Sequence, residues 1–282
     1  MQIRRPDTLA QALEAKAADP GAMPLAGGTD LMVAINFRRA RPDSVLDLMA
    51  IPELREWASD GARVRVGAGV TYTRLISELG DLLPGLAIAS RTVGSPQIRN
   101  RGTVGGNLGT ASPAGDGLPP LYTAGAHVEL ASVRGTRRVP VARFVTGPKR
   151  TCMEPDELIT AFDLAAAAGP QQFAKVGTRN AMVIAVCSVS LALWPEQRRV
   201  AACVGSAGPT PLVATEAEEF IAGALDWDGG RPVGEDVLAR FGELVGACAR
   251  PIDDVRGTAR YRTHAVGVLA RRTLRWAWEA RA

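Results

Sequence analysis

The sequence predicts an α+β fold: two small α/β subdomains, then a C-terminal domain in which strands precede helices. Three observations predict it. A short apolar stretch, Met23 to Ala26, passes through a glycine pair into a segment with helical spacing, and a second apolar stretch follows at Ser44 to Met49. The run AAAAGP, Ala165 to Pro170, marks a shift in composition. Beyond it, strand-like segments give way to long segments carrying an apolar stripe. The expected boundaries are 1–168, divided at about 56/57, and 169–282.

In order along the chain, Thr8 caps a helix with Leu9, Ala12 and Leu13 on one face, ending near Pro20-Gly21. The helix after the glycine pair shows Leu31, Ala34, Ile35 and Arg38 at helical spacing, with Thr29 as N-cap and Asp30 in its first turn. Residues 52–61 separate the subdomains. Val64 and Val66 alternate with Arg63 and Arg65, as in a half-buried strand. Thr71 caps a helix over Tyr72 to Leu79, and another runs from Leu82 to about Thr92. Gly94 to Gly117 is rich in Gly, Ser, Pro and Asn, with no periodic element beyond a short segment around Val104. Without a charge run it reads as a ligand-wrapping loop. A helix at Gly117 to Ala124 follows, then strands at Val128 to Ser132 and Arg137 to Val141 joined at Arg134-Gly135, and a strand at Leu158 to Leu164. The C-terminal strands are Phe173 to Val176, Ile184 to Trp194 and Arg199 to Gly205; the helices are Leu212 to Gly223, Gly234 to Arg250 and Thr258 to Ala280.

Composition narrows the function. The chain has 282 residues, 46% apolar and 22% charged, the balance of a soluble globular protein. Its net charge of +4 is spread along the chain, without the aromatic–basic interleaving that stacks bases, so no nucleic acid is expected. Cys152, Cys187, Cys203 and Cys248 are dispersed and form no CxxC pair. They give no support to a zinc or iron–sulfur site and fit a reducing, cytoplasmic setting. The N-terminus lacks the apolar region of a signal peptide, and Met182 to Trp194 is too short for a membrane span. His127 and His264 support no Ser–His–Asp or Cys–His arrangement, so no catalytic side chain is assigned.

The chemistry concentrates in two glycine segments, AGGTDL (Ala26 to Leu31) and RGTVGGNL (Arg101 to Leu108). Gly27-Gly28 permits positive φ and close approach by a ligand. Amides of Gly27, Gly28, Thr29 and Asp30 converge as they would on a phosphate. Thr103, Gly106 and Asn107 offer a second set of donors. Neither segment matches the spaced-glycine dinucleotide fingerprint or the P-loop.

The motifs AGGTDL, IRNRGTVGGNL (Ile98 to Leu108), SPAGD (Ser112 to Asp116), ELI (Glu157 to Ile159), GSAGPTPL (Gly205 to Leu212) and DDVR…YR (Asp253 to Arg262) occur in this order. Together they resemble the FAD-binding subunit of the molybdenum hydroxylases, over nearly the whole chain. The resemblance implies a PCMH-type FAD-binding domain of two α/β subdomains, then a smaller domain with an antiparallel sheet packed on helices. It implies two cofactor segments: Leu25, Ala26, Gly27, Gly28, Thr29, Asp30, Leu31 and Met32, then Thr103, Val104, Gly105, Gly106 and Asn107. Asp116 matches a family acid that hydrogen-bonds cofactor hydroxyls, and Ile159 and Lys175 align with positions that touch the cofactor. Read alone, a turn cap is the lesser alternative for Asp116, and Lys175 is equally a surface charge. Arg179-Asn180-Ala181 departs from the family's pattern, and no cysteine-rich loop of the benzoyl-coenzyme A reductase branch is present. The histidines lie outside both glycine segments, so the flavin is expected to be non-covalent.

The resemblance implies an electron-transfer role in an oxidoreductase. A molybdopterin-binding large subunit would hydroxylate substrate, and a small subunit with [2Fe–2S] clusters would feed FAD. The external acceptor would be NAD, oxygen or a quinone. The alternatives are a stand-alone FAD-dependent oxidase or dehydrogenase and a flavin-free scaffold module.

Overall fold

Side chains of Thr8, Ser95, Thr103 and Thr258 cap four of the helices. The computed structural model describes residues 1–281. In chain order it begins with β1 (Gln2–Arg4), α1 (Leu9–Ala18), β2 (Met23–Leu25), α2 (Leu31–Asn36), β3 (Ser44–Asp47), β4 (Trp57–Ser59) and β5 (Arg63–Gly67). There follow α3 (Tyr72–Glu78), α4 (Pro84–Arg91), α5 (Pro96–Arg99), α6 (Val104–Thr110) and α7 (Leu118–Thr123). Next are β6 (His127–Ser132), β7 (Gly135–Pro140), α8 (Val141–Phe144), β8 (Val145–Gly147), β9 (Arg150–Thr151) and β10 (Leu158–Ala165). The chain ends with β11 (Gln171–Val176), β12 (Cys187–Trp194), β13 (Arg199–Gly205), β14 (Leu212–Val213), α9 (Thr215–Ala224), α10 (Glu235–Cys248) and α11 (Ala259–Glu279). None of the described helices is long and apolar enough to cross a membrane.

These elements form two compact units that are not contiguous in sequence. One holds Met1–Ser77, Ser95–Ala111 and Gly125–Ala165; the other holds Glu78–Gly94, Ser112–Ala124 and the chain from Ala166 onward.

In the first unit, β1, β3 and β2 make a parallel sheet with β3 central. α1 supplies Ala12 to a buried cluster with Ala22, Leu46, Leu48, Ile51, Leu54 and Leu158. Thr8 caps α1 as its sequence predicts, accepting from the Gln11 amide. The second sheet, in the order β4-β5-β10-β6-β7, is antiparallel throughout. The alternation in β5 has its expected meaning. Val64 and Val66 are fully buried, while Arg63 pairs with Asp163 and Arg65 with Glu129 at 2.6 Å. Glu157 of the ELI motif is structural: it accepts both nitrogens of the Arg137 fork at 2.6 and 2.8 Å. That pairing holds its carboxyl below the usual carboxylate range.

In the second unit, β11-β12-β13-β14 form an antiparallel sheet with helices on both faces. Alternation along β12 explains this. Cys187, Val189, Leu191 and Leu193 join one buried cluster with Ile221 of α9, Phe241 and Val245 of α10, and Val266 and Leu274 of α11. Ser190 points the other way and shares a hydrogen bond with Thr123 of α7 at 3.1 Å. Burial pushes the Cys187 thiol up to about 12 and Cys248 up to about 11, so both are small core residues and poor nucleophiles.

Several local expectations change. The 94–117 stretch is not one open loop; it contains α5, capped by Ser95, and α6, capped by Thr103. The short segment expected around Val104 is the start of α6, while proline hid α5 and glycine the rest of α6, because tertiary packing overrides weak propensity in short segments. The N-cap of α2 is Asp30 rather than Thr29, and its side chain makes no capping bond. Leu212–Val213, read as the start of a helix, is the edge strand β14, and α9 begins at Thr215.

Candidate functional site

The first unit brings the two glycine segments into contact. β2 ends at Leu25 and the chain turns at Gly28, whose φ of +76° is one that glycine adopts without strain. A Cβ on Gly27 would lie 2.0 Å from the Arg101 carbonyl oxygen and 2.8 Å from the Gly102 Cα. Only glycine allows this backbone-to-backbone approach. A Cβ on Gly105 would lie 2.4 Å from the Ala68 carbonyl oxygen, so α6 is seated equally tightly. Thr110 at the end of α6 donates to the Asp30 carboxylate at 3.2 Å, a second tie between the segments. Ile159 on β10 is 8% exposed and packs beneath Gly109 of α6.

The two segments differ in the donors they leave free. Among the described residues, the amides of Gly27, Gly28, Thr29 and Asp30 have no acceptor, as expected for a phosphate cradle. In the second segment the Gly106 amide is bonded to the Thr103 hydroxyl at 2.9 Å and the Asn107 amide to the Thr103 carbonyl at 3.0 Å. Donors from Gly106 and Asn107 are therefore already used. The first-turn amides of Val104 and Gly105 remain. Asn107 offers an acceptor instead: its Oδ1 is buried with no hydrogen-bond partner. Thr103→Ala should remove the cap and lower stability by about 1 kcal/mol, read by thermal or urea unfolding.

The second unit holds Asp116 and Lys175, and neither is on the surface. Their side chains are 8% and 9% exposed, with Lys175 Nζ 2.5 Å from Asp116 Oδ2. Nζ also donates to the carbonyls of Thr92 at 2.9 Å and Val183 at 3.1 Å. An ammonium has three donors, and all are taken. The Thr92 hydroxyl donates to the same Asp116 oxygen at 3.3 Å. The other, Asp116 Oδ1, is buried and without a partner. Burial pushes this carboxyl up, against the downward pull of Lys175 and Thr92. Thr92 and the Val183 carbonyl were not legible as site residues. Arg179 folds back onto the carbonyls of Ala181 and Met182.

Each orphaned oxygen is a buried acceptor awaiting a donor, a costly state unless a ligand completes it. Ribityl and ribose hydroxyls are such donors, and the amides beside Gly27 and Gly28 suit a pyrophosphate, so the residues present fit FAD. Among the described residues no cluster of three or more His, Cys, Asp or Glu side chains is placed to hold a metal ion.

Comparison with known proteins agrees with this fit. Residues 1–165 match the family model of the FAD binding domain in molybdopterin dehydrogenase, and residues 172–277 match that of the CO dehydrogenase flavoprotein C-terminal domain. The chain is 36% identical to the nicotinate dehydrogenase FAD-subunit of Eubacterium barkeri, over 71% of each chain. It is 31% identical to a putative xanthine dehydrogenase FAD-binding subunit of Escherichia coli, over 96% of this chain and 93% of the relative. Its fold superposes on a chain of carbon monoxide dehydrogenase from Hydrogenophaga pseudoflava with a TM-score of 0.92 and 28% identity, covering 100% and 98% of the two chains. Two abutting glycine segments, a sheet-and-helix C-terminal domain and these matches along the chain place the protein in the family of FAD-binding subunits of the molybdenum hydroxylases.

Proposed function

We propose that this chain binds FAD non-covalently and relays electrons from [2Fe–2S] clusters on a small subunit to an external acceptor such as NAD, oxygen or a quinone. Substrate oxidation would take place at a molybdenum–pterin centre on a large subunit. The flavin domain is 1–168 and the C-terminal flavoprotein domain 169–282. When bound, FAD supplies the redox chemistry, and the chain supplies binding and orientation.

The proposed roles follow from the donors and acceptors. Leu25 to Met32 form the pyrophosphate turn, with the amides of Gly27, Gly28, Thr29 and Asp30 directed at the anion. Thr103 to Asn107 form the second segment, in which Asn107 Oδ1 accepts from a cofactor hydroxyl and the amides of Val104 and Gly105 donate. Asp116 Oδ1 accepts from another hydroxyl. Ile159 supports α6 from below, and the Lys175 ammonium fixes the Asp116 carboxyl through its other oxygen. Two buried oxygens without partners, Asn107 Oδ1 and Asp116 Oδ1, carry this reading. Asn107→Ala should weaken FAD retention by roughly tenfold, the worth of one hydrogen bond at a buried acceptor. Flavin per chain after gel filtration is the readout, and wild-type retention in this variant would overturn the role given to Asn107 Oδ1.

A further inference from the structure

Arg262, the last residue of the DDVR…YR motif, carries a charge that solvent hardly reaches. It stands on the first turn of α11 and is 4% exposed. Its Nη2 donates to Asp254 Oδ1 at 2.5 Å. Its Nη1 donates to two backbone carbonyls, Ser206 at 2.8 Å and Val186 at 3.1 Å. Its Nε is buried without a partner. A buried ion pair is a poor source of stability, since apolar residues of similar volume often replace one without loss. An orphaned donor makes it poorer still. What the guanidinium supplies is geometry: one nitrogen joins the backbones of two separate segments.

Each of those segments leads to the Asp116–Lys175 pair. On one side, Ser206 holds a φ of +59°, which a residue other than glycine keeps only where its surroundings dictate it. Its amide donates to the Pro113 carbonyl at 2.9 Å, its hydroxyl donates to the Ala185 carbonyl at 2.6 Å, and its own carbonyl accepts from Arg262. Pro113 lies in the turn 112–115, closed by the Gly115 amide on the Ser112 carbonyl at 2.9 Å, and Asp116 follows directly. On the other side, Val186 ends the segment 183–186, whose Val183 carbonyl accepts from Lys175 Nζ. The Val186 amide donates to the carbonyl of Val176, the neighbour of Lys175 on β11, at 2.7 Å. All of these residues belong to the second unit.

We propose that Arg262 is a positioning residue for the flavin site. By clamping the Ser206 and Val186 carbonyls together, it fixes where the 112–116 turn sits against Lys175, and so where Asp116 Oδ1 points. The inference rests on the role given to Asp116 above. Arg262 acts through backbone and makes no bond to the cofactor itself. Its removal should therefore weaken FAD binding by at most about tenfold, the worth of the one hydrogen bond that Asp116 would misplace.

The full chain, purified with its partners and stripped of flavin, would be titrated with FAD as wild type, Arg262→Met and Asp254→Asn. The titration is run where urea unfolding shows each protein fully folded. Arg262→Met removes the clamp and should weaken FAD binding by about tenfold. Asp254→Asn keeps an oxygen for Nη2 and leaves Nη1 on both carbonyls. It should lower the urea midpoint, because the buried arginine loses its counter-ion, yet bind FAD as wild type does. Wild-type affinity in Arg262→Met would overturn the clamp. So would an equal loss in both variants, because affinity would then simply follow stability. A wild-type chain that binds no FAD would overturn the flavin reading and the clamp together. Should Arg262→Met fail to fold, hydrogen exchange in the wild-type protein decides. FAD should slow exchange of the Ser206 and Val186 amides severalfold, and unchanged rates would overturn the clamp.

Discussion

Gly27→Ala is expected to weaken FAD binding by roughly a hundredfold and to destabilise the chain by about 3 kcal/mol. The new Cβ would lie 2.0 Å from the Arg101 carbonyl oxygen and 2.5 Å from its carbonyl carbon. Those are backbone atoms and cannot swing aside. The two glycine segments would separate, and the turn amides would lose their common aim. Gly109→Ala is the matched control. Its Cβ would meet only Ile159 Cδ1 at 3.5 Å, an ordinary contact, within helix α6. Reduced backbone entropy in the unfolded chain should then stabilise this variant by about 0.4–1 kcal/mol. Melting temperatures and FAD titrations of the two variants check both halves of the expectation. Equal behaviour would show that the tight approach at Gly27 has no bearing on binding.

Lys175→Met is expected to cost about 3–5 kcal/mol at neutral pH, because it leaves a buried carboxylate without its counter-ion. Asp116 and Lys175 are both less than a tenth exposed, so solvent does little to screen the loss. The variant also frees the carbonyls of Thr92 and Val183. The pH dependence has a definite sign. Burial already pushes the Asp116 carboxyl up, and Lys175 supplies the larger downward pulls. Without Lys175 the folded-state pKa stands further above the unfolded value. Such a group contributes stability below the unfolded pKa and loses it as pH rises through the folded pKa. The deficit of Lys175→Met should therefore be smallest in acid and grow toward neutrality. Urea unfolding of both proteins across that range measures it, and a deficit independent of pH would exclude a charged Asp116 as its cause.

The glycine segments were legible because glycine at Gly27 and Gly28 has a steric meaning that survives without coordinates. The strand alternation at Arg63 to Val66 and the cap at Thr8 were legible for the same kind of local reason. Helix α5 was not, and α6 was legible only as a short segment around Val104, because each is a few residues long, opens on a capped turn and contains proline or glycine. The use of Gly106 and Asn107 amides inside the α6 cap also required the fold. Burial of Lys175 could not be read from its neighbours, since its partners Asp116 and Thr92 lie 59 and 83 residues away. Arg262 is similar: its motif was visible, but its reach to the Ser206 and Val186 carbonyls depends on how α11 packs.

The most direct test of the central claim is the flavin content of the chain, purified with its partners and then denatured in acid. The account predicts FAD in equal amount to the chain and fully released into solution. A preparation without flavin, or flavin that stays attached to the denatured polypeptide, would contradict it.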